Sequence, residues 1–167
     1  MVWAQEAPYN FALNDGEVIW QKVYTSDMTT AQLADFFIAS GRFDDLTYND
    51  DNITCRLKPV EADWKKLGYT SLTVPEMAAS SDIVCFATIQ VKDGRYRVSA
   101  EDLYFIANRA SGFFKAGEKT AVSTMLLKKG AFRTSQSGAM HLAEILDAHL
   151  TESFSTNQKA FLQDDNW

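Results

Sequence analysis

The chain has 167 residues, 46% of them apolar and 13% aromatic, which allows one domain with a sizeable core and excludes a disordered chain. Its formal charge is −6 and its isoelectric point about 4.9, and its basic residues are scattered as Lys65–Lys66, Arg95 with Arg97, and Lys128–Lys129, so a nucleic-acid partner is not expected. No apolar run approaches the ~18 residues of a membrane helix, so the protein is not expected to be an integral membrane protein.

At the N-terminus, Val2-Trp3-Ala4 before Gln5-Glu6 has the small and apolar positions that close a secretory signal peptide. The expectation is that Met1 lies within or just after such a peptide and that the protein is exported, to the periplasm or cell envelope. The alternative is a native Met1 and a cytoplasmic protein. Residues 1–8 are read as a remnant or lead-in, 9–154 as one α+β domain and 155–167 as a tail. Residues 1–14 are polar without a clear period, and Pro8 predicts an extended lead-in.

Asn14-Asp15-Gly16 is a turn signal. Glu17 to Thr25 alternates Val18, Trp20, Lys22 and Tyr24 with Ile19, Gln21 and Val23, which predicts a strand. Thr29 and Gln32 are spaced for a capping box, Leu33, Phe36 and Phe37 recur at helical spacing, and Gly41 is a stop. A helix over 30–40 follows. Phe43–Tyr48 and Ile53–Lys58 then flank the polar turn 49–52 as a hairpin, with Ile53, Cys55 and Leu57 on one face.

Residues 59–81 read as an excursion, with a short helix over 61–67 ended by Gly68 and a polar stretch holding Pro75. Its Trp64, Tyr69, Leu72, Val74 and Met77 imply that it packs against something. Residues 83–92 alternate Ile83, Cys85, Ala87 and Ile89 with Val84, Phe86 and Thr88. Asp93-Gly94 turns the chain into a return strand running to Ile106, with a bulge or bend expected at Ala100-Glu101-Asp102. Residues 108–119 read as loop. Thr120 is the expected cap of a short helix ended by Gly130, with Lys128 and Lys129 at its C-terminus. The last helix is expected over 137–154, with Leu142, Ile145, Leu146, Leu150 and Phe154 as its apolar stripe and a helical extension through Phe161 as an option.

The order is strand, helix, four antiparallel strands, helix. To it are added Phe11-Ala12-Leu13-Asn14-Asp15-Gly16-Glu17-Val18 before the first strand, the hairpin Val91-Lys92-Asp93-Gly94-Arg95-Tyr96-Arg97, and Lys128-Lys129-Gly130 before the final helix. With these residues the chain resembles, over about 9–154, a family of exported Bacteroidetes domains of unknown function with a TATA-binding-protein-like (TBP-like) fold. The resemblance implies a curved antiparallel sheet with helices packed on one face, of β-α-β(4)-α type. It supplies no catalytic residues, and it does not imply DNA binding, because fold and function separate freely.

The residues themselves offer no catalytic set. No Gly-x-Ser-x-Gly, Walker loop, dinucleotide fingerprint or His-Glu-x-x-His occurs, and no cofactor or metal is expected. His141, Glu144, Asp147 and His149 on the last helix read as a solvated polar face, and Asp44, Asp45, Asp50 and Asp51 as a polar hairpin. Cys55 and Cys85 read as inward-facing free thiols, and a disulfide between them requires suitable strand registry. The aromatics Trp64, Tyr69, Phe113 and Phe114 are candidates to line a groove or interface. Arg95 and Arg97 share a strand face, which reads first as a solvated sheet face pairing with acids and otherwise as a candidate to bind a carboxylate or phosphate. These observations favour a non-enzymatic binding or interaction module. The alternatives are a carrier holding a small apolar ligand between sheet and last helix, and a hydrolase with its site assembled across loops. Ligand, partner and oligomeric state are not encoded in any motif.

Overall fold

The structure is a computed structural model that describes residues 7–111 and 114–156; the signal-peptide reading of Val2 to Ala4, the groove residue Phe113 and the extension through Phe161 lie outside them. The chain begins with a hairpin of β1 (Phe11–Asn14) and β2 (Glu17–Thr25). Residues 11–14 were expected as lead-in. They pair as a strand because Asp15 and Gly16 adopt φ of 51° and 79°, the left-handed pair of a tight hairpin turn.

Helix α1 (Thr30–Ser40) then carries the chain across the sheet. Its capping box is formed on both sides: Gln32 N donates to Thr29 Oγ1 at 3.2 Å and Thr29 N donates to Gln32 Oε1 at 2.9 Å. Gly41 ends it at φ 72°. Strands β3 (Phe43–Tyr48), β4 (Asn52–Val60), β5 (Ser81–Lys92) and β6 (Arg95–Ala107) follow as antiparallel neighbours. With β7 (Lys119–Ala121) they complete a seven-stranded sheet in the order β1-β2-β6-β5-β4-β3. β7 shares with β2 the edge of β6 that β5 leaves free.

The alternation expected for β5 is kept along the strand: Ile83, Cys85, Ala87 and Ile89 are buried, while Val84, Phe86 and Thr88 are half-buried on the opposite face. The expected bulge in β6 falls at Asp102, with φ 52° and a register shift against Val84 and Phe86. One extra residue there returns Leu103, Phe105 and Ala107 to the buried face that Tyr96, Val98 and Ala100 occupy before it. Cys55 opposes Ala87 and Cys85 opposes Leu57, so the thiols are diagonal neighbours. Diagonal Cα atoms lie about 7–8 Å apart, too far for an unstrained bridge, and both thiols are free and buried.

Two expectations in the second half are corrected. Thr120 does not cap a helix; it lies in β7, and α3 (Val122–Leu126) starts after Ala121 without a side-chain cap. Gly130 does not end that helix. Lys129 and Gly130, at φ 54° and 78°, form the turn between the two-residue strands β8 (Leu127–Lys128) and β9 (Ala131–Phe132). A short helix α2 (Glu76–Ala79) also forms after Pro75, where the sequence suggested irregular chain.

Helix α4 (Ser137–Ser153) lies on the same face of the sheet as α1. Trp20, Tyr24 and Tyr96 rise from β2 and β6, and each hydrogen-bonds to α4 or the residue ending it: Trp20 Nε1 to Asp147 Oδ1 at 2.9 Å, Tyr24 Oη to the Thr151 carbonyl at 2.9 Å, Tyr96 Oη to the Phe154 carbonyl at 2.6 Å. Phe37 of α1 wedges between Phe43, Tyr96 and Phe154, at ring-centre distances of 5.2, 6.2 and 6.4 Å. Buried residues from Phe11 to Phe154 form one contiguous cluster.

Candidate functional site

Segment 59–81 decides where the grooves lie. It leaves β4 at Val60, buries Ala62, makes a 3-10 turn over Trp64–Leu67 and stops at Gly68 with φ 92°. It then crosses the outer side of α4. Tyr69 Oη donates to the Glu144 carboxylate, and the Tyr69 ring stands edge-on to His141 at 5.3 Å. Lys66 Nζ lies 3.1 Å from Glu152 Oε2. Helix α4 is thus held between the sheet and this strap. Burial and the bond to Glu144 both push the Tyr69 phenol above its ordinary range.

Between strap and helix lies a groove of about 510 Å³. Val60 and Leu67, 47% and 39% exposed, face Ile145 and Ala148 across it. Arg42, Lys66, His149 and Glu152 provide its polar groups. Arg42 caps the end of α4, donating through its terminal nitrogens to the carbonyls of Glu152 at 3.1 Å and Ser155 at 3.4 Å, where the helix dipole favours a cation. Its Nε and the Nε2 of His149 are buried without hydrogen-bond partners. Burial pushes the His149 imidazole down from 6.5 to about 4, with the nearby Arg42 charge acting in the same direction and Glu152 opposing, so His149 is neutral at pH 7. It is not part of a solvated face, which corrects the reading from its sequence position: the strap covers its side of α4. Ser153 Oγ donates to the His149 carbonyl at 2.7 Å, so the hydroxyl is turned onto its own helix and does not pair with the imidazole.

The residues expected to form a site are brought to three places. Trp64 packs half-buried against the core at the start of the 3-10 turn, with Lys65 Nζ 5.5 Å from its ring centre. Tyr69 is tied to α4 as above. Phe114 lines a second groove, of about 450 Å³, with Pro75, Met77, Met125 and Leu142. Arg95 and Arg97 stand on the open face of the sheet beside a hollow of about 150 Å³. Neither Arg42 nor Lys66 stands out in the sequence as a site residue, and His149 reads there as part of a solvated face. The one signal for them was the run of apolar residues in an otherwise turn-rich 59–81 segment, which required a surface beneath it.

The interface between sheet and α4 is closed by side chains. Trp20, Leu146, Leu150 and Phe154 are all 0% exposed, and the grooves lie at the outer flanks of α4. Among the described residues no three His, Cys, Asp or Glu side chains come together as a metal site, and no helix is long and apolar enough to cross a membrane. Asp44 and Asp45 are each engaged with a cation of β4, Lys58 and Arg56, both at 3.9 Å.

An antiparallel sheet covered on one face by two long helices, with a strap over the second, defines an α+β domain of TBP-like architecture. Among solved structures the chain is similar to a TBP-like protein from Parabacteroides distasonis ATCC 8503, with a TM-score of 0.50, 12% identity, and 87% of this chain and 97% of that chain covered. It is also similar to a DUF4468 family protein from Bacteroides ovatus ATCC 8483, at a TM-score of 0.47 and 13% identity, over 88% of this chain and 91% of that one. At such identity the likeness to the first is one of fold, and the fold is the one the sequence resemblance implied. No family model and no curated protein matches the sequence.

Proposed function

We infer that this is a non-enzymatic binding module of the cell envelope, with its ligand seat in the groove between the 60–67 strap and α4. The observation that carries this reading is the pairing of half-exposed Val60 and Leu67 with Ile145 and Ala148 around polar groups that include a histidine with a strongly lowered pKa. Concave, largely apolar surfaces with a few convergent polar groups are the usual form of a ligand site. The ligand such a groove fits has an apolar body and a polar group presented to Arg42 and Lys66. Support for the envelope comes from the Val2-Trp3-Ala4 pattern and the resemblance to exported domains.

The test is a fragment screen read by saturation-transfer NMR, on the wild-type protein and on Ala148→Trp, which fills the groove from the helix side. Fragments that bind the wild type and are lost in the variant support the reading, provided the melting temperature is kept. Absence of wild-type hits, or hits indifferent to the substitution, defeats the groove. Multiple turnover of any substrate, abolished by one substitution, defeats the non-enzymatic part. Localisation is tested by the N-terminal residue of the mature protein, read by mass spectrometry from envelope fractions of the native host.

A further inference from the structure

The open face of the sheet treats its cations in two ways. At the β3–β4 edge each has an acid: Arg56 faces Asp45 and Lys58 faces Asp44. At the β5–β6 hairpin Lys92, Arg95 and Arg97 lie side by side, and none of the three makes an ion pair among the described residues. The register makes this grouping unavoidable. Lys92 is directly opposite Arg95, Gln90 is opposite Arg97, and Arg95 and Arg97 are two residues apart on one strand face. Like charges placed directly opposite across a strand pair repel. In a chain of net charge −6, such a cluster is a local conflict with the rest of the surface.

The cluster surrounds the hollow of about 150 Å³, which Val23 and Gln90 also line. Gln90 accepts from the Arg97 guanidinium and holds it across the strand pair. Among the described residues Lys92 and Arg95 make no side-chain hydrogen bond. We propose that this hollow is a site for a tetrahedral phosphate-type dianion. A carboxylate presents two oxygens in one plane and is satisfied by a single guanidinium fork, whereas a phosphoryl group offers oxygens in several directions to three separate donors. The site is independent of the strap groove, which lies on the other face of the sheet.

The experiment titrates the full chain with inorganic phosphate, with glycerol 3-phosphate and with acetate at constant ionic strength, following amide and arginine Nε–H resonances by NMR. The expected result is saturable shifts confined to Val23, residues 90–97 and their side chains for at least one of the phosphates. Tighter binding of inorganic phosphate points to the free ion, and tighter binding of glycerol 3-phosphate to an esterified group. Acetate is expected to bind more weakly than either, and added sodium chloride to weaken all three by screening. Arg95→Gln with Arg97→Gln is expected to weaken phosphate binding by about tenfold or more, since two of three charge-assisted contacts are lost. Arg56→Gln, on the same face, is expected to leave it unchanged. All of these side chains are exposed, so the variants keep the fold, which the amide spectrum checks directly. Shifts that do not saturate, that spread over all basic residues, that are matched by acetate, or that survive the double substitution overturn the proposal.

Discussion

On the covered face of the sheet, Trp20, Tyr24 and Tyr96 send their polar tips up to α4 and the residue that ends it. On the open face, Gln21 reaches sideways to Ser99 at 3.0 Å, Thr47 to Thr54 at 3.0 Å and Arg97 to Gln90. The first arrangement joins layers. Trp20 and Tyr96 are fully buried and Tyr24 is half-buried, so their indole N–H and hydroxyls need partners on α4 or at its end, which fix the helix in register. The second arrangement joins neighbouring strands that the backbone ladder already holds, in positions where water competes for every donor. Polar contacts are similar in length on both faces and differ in what their loss costs.

The largest expected effect comes from breaking the covered face. Phe37 is 0% exposed and touches rings from β3, β6 and the end of α4. Phe37→Ala is expected to cost about 3–5 kcal/mol, as transfer energy plus the cavity left among rigid rings. Urea unfolding at pH 7 measures it. A loss below about 1 kcal/mol would mean that α1 does not close on the sheet as described.

That face was legible in the sequence because each of its rules is local. Alternation from Ile83 to Ile89 fixed the buried side of β5, and Thr29 with Gln32 fixed the start of α1. The elements that escaped are those whose only reason to form is a distant neighbour. Lys119–Ala121 is a strand because the end of β6 beyond β2 is unpaired, and Phe11–Asn14 because β2 returns beside it. The strap shows the same limit at the site. His141 and His149, eight residues apart on one helix, point roughly 80° apart; the first is exposed and rests against Tyr69, and the second is half-buried near Arg42. Helix spacing alone does not say which of the two is covered; the path of residues 60–69 does. Arg95 and Arg97 were legible as neighbours because strand parity alone places them on one face, whereas Lys92 joins them only through the hairpin register.

The His149 environment gives the next effect in size. Its folded pKa of about 4 is below the ordinary 6.5, so between these values the unfolded chain takes up a proton that the folded one refuses. The stability contributed by burying the neutral ring is complete above pH 6.5. It declines as pH falls and is lost by about pH 4, to a total of up to about 3 kcal/mol. Urea midpoints at pH 7, 5.5 and 4.5 should fall more steeply for the wild type than for His149→Gln, which has no imidazole to titrate. Parallel curves for the two proteins would show that His149 is solvated after all, and would remove the strongest polar feature of the strap groove with it.

The smallest effects sharpen the comparison by sign. Arg56 is an exposed partner of Asp45 at 3.9 Å, and its guanidinium lies 5.3 Å from the Phe86 ring centre. Exposed ion pairs are worth roughly 0–1 kcal/mol, so Arg56→Gln should cost a few tenths at most. Arg95 has Lys92 opposite it and no ion-pair partner among the described residues, so Arg95→Gln removes repulsion without removing such a pair and should leave stability unchanged or slightly raised. Both measurements belong at low salt, where screening is least, and both differences should shrink as sodium chloride is added. A phosphate-containing buffer should reverse the order for Arg95, because an anion held in the folded state stabilises it by mass action and the glutamine variant forfeits that gain. At the proposed phosphate site, stability and binding therefore pull one residue, Arg95, in opposite directions.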